Sequence, residues 1–175
     1  RDLRDICVSW SHYVRVTPAH PCHHLKDVPV PEAMHWFIEH RLDDYVWWQA
    51  EWRRRVDPEL GLLARYEDML ADTPGVFRAI LDHFRIDLTP AQRDAIVNAQ
   101  RFSRVTGRAP GQEDKSSFNR KGISGDWRNH FTPEHRAAFD RVAGSRFAET
   151  GYELGADWLA PGPPGADGAP VSIEP

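Results

Sequence analysis

The sequence predicts an α/β protein, of which this chain is a mostly helical part with about one central strand. Two observations predict it. Three Thr-Pro pairs, Thr73–Pro74, Thr89–Pro90 and Thr132–Pro133, each place an N-cap residue before a proline suited to the first helical position. Only one stretch, Gly61–Tyr66, is short, apolar and preceded by turn residues (Asp57, Pro58), as a buried strand is. One strand forms no sheet, so its partners are expected in a part of the protein that precedes these residues.

Each element has its own signal. A first helix is expected from about Leu3 to Tyr13, with Ile6, Trp10 and Tyr13 as its buried stripe. Two more are expected between Glu32 and Arg55, interrupted near Asp43–Asp44. After Thr73, the residues Val76, Phe77, Ile80, Leu81 and Phe84 recur at helical spacing. After Thr89, Gln92 completes a capping-box pattern and Ala95, Ile96 and Ala99 follow. After Thr132, Phe139, Val142, Ala143 and Phe147 share a face, and Gly151 offers a stop. The polar stretch from Thr106 to Gly125 reads as a long loop, and long loops often carry function. Residues 160–175 are rich in Pro, Gly and Ala and are expected to be a flexible tail, leaving 1–159 as part of one domain.

Composition narrows the class. Seven Trp in 175 residues demand burial or a ligand, which argues against a disordered chain. A net charge of -4 argues against a non-specific nucleic-acid binder, which is normally basic. No apolar run approaches the roughly 20 residues that span a bilayer. The opening Arg1–Asp5 has neither Met nor a signal-peptide pattern and reads as a chain cut inside a domain. Two cysteines, Cys7 and Cys22, suggest no disulfide framework, and the expected location is a reducing, cytoplasmic one.

Three constellations carry chemistry. Asp5 and Ser9 fall on one face of the first helix, with Arg1 at its N-terminal end. A helix start offers free N–H groups and an arginine adds a fork that matches a phosphate, although ordinary capped helices share this spacing. In Phe118–Asn119–Arg120–Lys121–Gly122, two adjacent cations precede a glycine, so backbone can approach an anion closely; a solvated basic loop has the same composition. In Leu63–Asp68 an apolar run ends in Tyr66 and two acids. Strand ends are where α/β folds bind ligands, and an aromatic there can face a base or simply join the core.

Other signals weigh less. His20, Cys22, His23 and His24 crowd together, but their spacing fits no standard zinc pattern and a loop is expected. Trp48 and Trp52 are four apart and read as a packed helical face, with Trp47, off that face, the better candidate for a pocket. Arg53–Arg55 reads as a solvated helix end.

In this order, the three constellations resemble the sulfotransferase family. Arg1–Ser9 is similar to the family's 3′-phosphate-binding motif, and Tyr66–Met69 to the Tyr-Glu-Asp element that closes a central strand. Arg120–Gly122, Gly125–Trp127 and Asn129–Thr132 are similar to the family's Arg-Lys-Gly loop and the segment after it. The likeness runs from about Arg1 to Glu153. It implies a P-loop-type three-layer fold and a sulfuryl donor, 3′-phosphoadenosine-5′-phosphosulfate (PAPS), serving a hydroxyl or amine acceptor. Arg1, Ser9, Arg120, Lys121 and Gly122 would hold the 3′-phosphate, and Tyr66 and Phe102 would face the adenine. No metal is implied.

The resemblance also implies absences. The family's Gly- and Lys-containing loop for the 5′-phosphosulfate and its proton-accepting His have no counterpart among these residues, so no catalytic residue is assigned and this stretch alone is expected to be inactive. General-base catalysis supplies about 10²–10⁴-fold. Pro133 and Ala137 depart from the family's dimerisation segment. By the resemblance the acceptor would be a small molecule, lipid or carbohydrate, and the sequence does not select among them. A non-catalytic nucleotide-binding module is the main alternative, and a nucleotide kinase part a third.

Overall fold

The computed structural model describes residues 1–155, 158 and 159. The tail expected over 160–175 lies outside the described residues. Eight α-helices run in order: α1 (Leu3–Val16), α2 (Val30–His40), α3 (Leu42–Arg55), α4 (Tyr66–Ala71), α5 (Thr73–His83), α6 (Pro90–Ala99), α7 (Phe102–Thr106) and α8 (Pro133–Ala143). Short 3₁₀ helices cover His23–Leu25, Asp126–Asn129 and Gly144–Thr150. No described helix is long and apolar enough to cross a membrane. The described residues divide into two compact units, one of Arg1 with Arg54–Ser124, the other of Asp2–Arg53 with the residues from Gly125 on.

The second unit holds the main core. Here α1 packs on α2, α2 on α8, and α8 on the 3₁₀ helix that follows it. Phe37, Phe139 and Phe147 are fully buried, with Leu3, Val8, Met34, Ile38 and Leu42 around them. Burying each such side chain contributes about 1.5–3 kcal/mol. The stripe expected on α1 is rotated: Leu3, Cys7, Val8, Trp10 and Val14 are buried, whereas Ile6 and Tyr13 are half-buried. Asp2 caps α1, its carboxylate accepting the Arg4 N–H at 2.8 Å. Arg4 pairs with Asp2 and lies over the rings of Trp127 and Phe147.

Helix α8 starts as expected at Thr132, but with His135 in the third helical position of its capping box. The Thr132 N–H donates to His135 Nδ1 at 3.1 Å, so the proton sits on Nε2, which bonds the Pro31 carbonyl at 2.9 Å. Burial, offset in part by that bond to Pro31, holds the His135 imidazole below its ordinary pKa. The break expected near Asp43–Asp44 falls at Arg41, between α2 and α3.

The first unit is built from α4, α5, α6 and α7 packed in sequence. Residues 61–65 form no strand: Arg65 is extended (φ -81°, ψ 144°), but no ladder pairs this segment among the described residues, and α4 starts at Tyr66. A strand is defined by backbone partners on a neighbouring strand, and a turn in which Leu60 and Gly61 donate to the Asp57 carbonyl occupies the backbone just before it. On α6, Ala95, Ile96 and Ala99 are exposed and Val97 is the buried residue. Helix α5 is capped by Asp72, whose carboxylate accepts the Gly75 N–H, so Thr73 lies inside the first turn. Thr89 and Gln92 form the expected box at α6.

On α3 the inward residues are Leu42 and Val46. Trp47, Trp48 and Trp52 are 61%, 55% and 53% exposed, so the core role expected for Trp48 and Trp52 is not found; those two rings meet each other edge-on at 6.1 Å.

Candidate nucleotide-binding site

Six of the seven residues assigned to a cofactor from the sequence, Arg1, Tyr66, Phe102, Arg120, Lys121 and Gly122, belong to the first unit, and Ser9 to the second. Two pairs are brought into contact. The Arg1 guanidinium lies 4.4 Å from the centre of the Tyr66 ring, a cation–π arrangement that holds the fork beside the start of α4. Gly122 lies against the Phe102 ring, so closely that a Cβ built there would sit 2.5 Å from Cδ2 and 2.8 Å from Cγ. Its φ is +67°, which favours glycine.

Arg108, which the sequence reading left unassigned, organises the loop. Its guanidinium donates to the carbonyls of Asn119 (2.6 Å), Arg120 (2.8 Å) and Gln112 (2.7 Å), and lies 5.3 Å from the Phe102 ring centre. The Gly111 N–H donates to the Lys121 carbonyl and the Asp114 N–H to that of Arg120. The carbonyls of 119–121 are therefore all engaged. Bonding these carbonyls within the loop leaves fewer free acceptor groups to oppose an anion. An arginine in a polar loop has no sequence signature for such a role; the Gly-rich stretch it spans was the one available hint.

Arg120 is not a solitary cation. Its side chain is 10% exposed and pairs with Glu113, so an incoming phosphate would compete with that carboxylate. Asp114 accepts the Ser116 hydroxyl and N–H, and these bonds hold its carboxyl below its ordinary pKa. In the second unit, Ser9 lies half-buried on α1. The helix start invoked for phosphate is partly taken: Asp2 already accepts the Arg4 N–H.

Asp5 has a role that its helical spacing did not show. It is buried, and its carboxylate accepts the Gly125 N–H at 2.6 Å and the Trp127 N–H at 3.0 Å. Next to it Asp126, also buried, accepts from Asn129 and meets His130 Nε2 at 3.3 Å. At the histidine-rich turn, ring nitrogens are used locally: His20 accepts the Cys22 N–H and His23 bonds the Val14 carbonyl. Among the described residues no cluster of three or more His, Cys, Asp or Glu is placed to hold a metal.

The Arg120–Lys121–Gly122 loop is thus closed on an aromatic ring, with Arg120 already paired to Glu113. The model of the sulfotransferase domain matches residues 1–151, and the chain belongs to the sulfotransferase family. It is 26% identical to sulfotransferase 6B1 of Danio rerio over 86% of this chain and 51% of that protein. It is 25% identical to flavonol 3-sulfotransferase of Flaveria bidentis over 88% of this chain and 55% of that protein. The chain thus spans about half the length of the relatives it matches. Its fold is similar to that of mouse sulfotransferase SULT7A1, solved in complex with PAP, with a TM-score of 0.65 at 23% identity over 85% of this chain and 56% of that one.

Proposed function

We propose that this chain supplies the 3′-phosphate and adenine side of the cofactor site of a PAPS-dependent sulfotransferase. The observation that carries this is the Arg120–Lys121–Gly122 loop, held by Arg108 and packed on Phe102, inside a stretch that matches the family along most of its length. The donor set fits the group. Arg120 and Lys121 are cations suited to a phosphate dianion, the glycine lets backbone come close, and Tyr66 and Phe102 offer π faces to a purine. Arg1 and Ser9 would complete the phosphate contacts by the family's pattern.

When bound, PAPS supplies the sulfuryl group that passes to the acceptor. This chain's residues bind and orient the nucleotide half. Holding a reactant in place is itself a large part of catalysis. The acceptor is proposed to be a small hydroxylated molecule or an amine; the flavonol in one relative's name belongs to that class. The domain is proposed to run through residue 159.

Calorimetry on the full-length protein tests this reading. Adenosine 3′,5′-bisphosphate is expected to bind at least tenfold more tightly than AMP. Equal affinities would remove the 3′-phosphate assignment.

A further inference from the structure

We infer that the cleft between α5 and α6 is an accessory binding site for an aryl sulfate, one aromatic ring bearing one singly charged oxyanion. The site is read from its own residues and shares none with the Arg120–Lys121–Gly122 loop. Only the choice of a sulfate over other oxyanions rests on the sulfuryl transfer proposed above, since transfer to a phenol yields an aryl sulfate.

Helices α5 and α6 pack on one another inside the first unit. Packed helices ordinarily meet on apolar residues spaced i, i+3, i+4 and i+7. On α5 that stripe is Pro74, Phe77, Arg78 and Leu81; on α6 it is Pro90, Arg93, Asp94 and Val97. Leu81 and Val97 are buried and close part of the seam. One turn before each stands an arginine, where an apolar side chain would close the rest. What remains is a cleft of about 180 Å³. Phe77, Val97 and the two proline rings give it apolar walls, and Arg78 and Arg93 stand among them.

The two arginines differ from others in this chain. Arg120, Arg141 and Arg146 each take an acid from elsewhere in the sequence. Arg78 and Arg93 have no carboxylate at ion-pair distance among the described residues, although Asp94 also lines the cleft. A guanidinium fork matches an oxyanion and its flat face stacks on a ring. Two cations with one acid leave a single positive charge, suited to a sulfate monoester rather than a phosphate dianion. The volume lies below the roughly 300–1,000 Å³ of ordinary small-molecule sites, which limits the body to one ring and excludes a nucleotide.

The test is an NMR titration of full-length protein with phenyl sulfate, followed on the amides of α5 and α6, with and without adenosine 3′,5′-bisphosphate. Phenyl sulfate is expected to shift these amides with an affinity that the bisphosphate leaves unchanged. Phenol and inorganic sulfate, each supplying half of the ligand, are expected to bind at least tenfold more weakly. Arg78→Gln and Arg93→Gln are each expected to weaken phenyl sulfate about tenfold, the loss of one charge-assisted hydrogen bond. Should Arg93→Gln not fold, Arg78→Gln decides, because Arg78 is exposed. Asp94→Asn is expected to tighten binding, whereas Glu59→Gln, the same change of charge outside the cleft, is not. No binding, displacement by the bisphosphate, equal affinity for inorganic sulfate, indifference to the arginine variants, or equal gains from Asp94→Asn and Glu59→Gln would each overturn the inference. Equal affinity of the protein for the bisphosphate and AMP would remove the nucleotide reading and leave this one standing.

Discussion

Replacing Gly122 by alanine tests the closure of the loop on Phe102. Two costs add. The backbone at φ +67° lies in the left-handed region, where a Cβ costs roughly 1–2 kcal/mol. The new methyl would also stand 2.5–2.8 Å from three carbons of the Phe102 ring, which include the ring's root and cannot swing away like a flexible tip. Such overpacking costs typically 1–3 kcal/mol. Gly111 is the internal control: its φ is +91° and nothing lies within 4 Å of the Cβ it would gain. Gly111→Ala is expected to cost the backbone strain alone, so the difference between the two variants, about 1–3 kcal/mol, measures the ring contact. Urea unfolding of full-length protein reads the difference. The double variant Gly122→Ala/Phe102→Ala is expected to lose the overlap and leave only the strain, a coupling that a double-mutant cycle isolates. Bisphosphate affinity is expected to fall at least tenfold in Gly122→Ala. Equal destabilisation by the two alanines, with no coupling to Phe102, would refute the packing argument.

Two further outcomes follow from the same geometry. Arg108→Ala releases the carbonyls of Asn119, Arg120 and Gln112; calorimetry is expected to show at least tenfold weaker bisphosphate binding with AMP much less affected, and an unchanged affinity would show that the loop holds itself. His135 has a folded pKa below its ordinary value of 6.5, so the unfolded chain binds more protons, and its stabilising contribution is present above pH 6.5 and lost as pH falls through the folded pKa. Urea unfolding between about pH 5 and 7.5 is expected to show a shallower acid loss in His135→Gln, where glutamine can serve the same capping position without titrating; parallel curves would contradict the assignment.

What the sequence determined by itself is chiefly local. A helix start depends on residues at most three apart, so Thr89 with Gln92 and Thr132 with Pro133 could be read directly. The Arg-Lys-Gly loop and the Tyr-Glu-Asp run could be singled out because each is a run of a few consecutive residues. Tertiary structure decided whatever depends on partners distant in the chain. Residues 61–65 look like a strand, yet pairing and not composition makes one. Trp48 and Trp52 have the spacing of a core face, yet α3 turns Leu42 and Val46 inward. Asp5 reads only as part of a helical face beside Ser9, and Arg108 carries no signal at all. Their partners, 120 and 12 residues away at Gly125 and Arg120, exist as partners only once the backbone brings an amide or a carbonyl within hydrogen-bond reach, and backbone groups are the same at every position in a sequence.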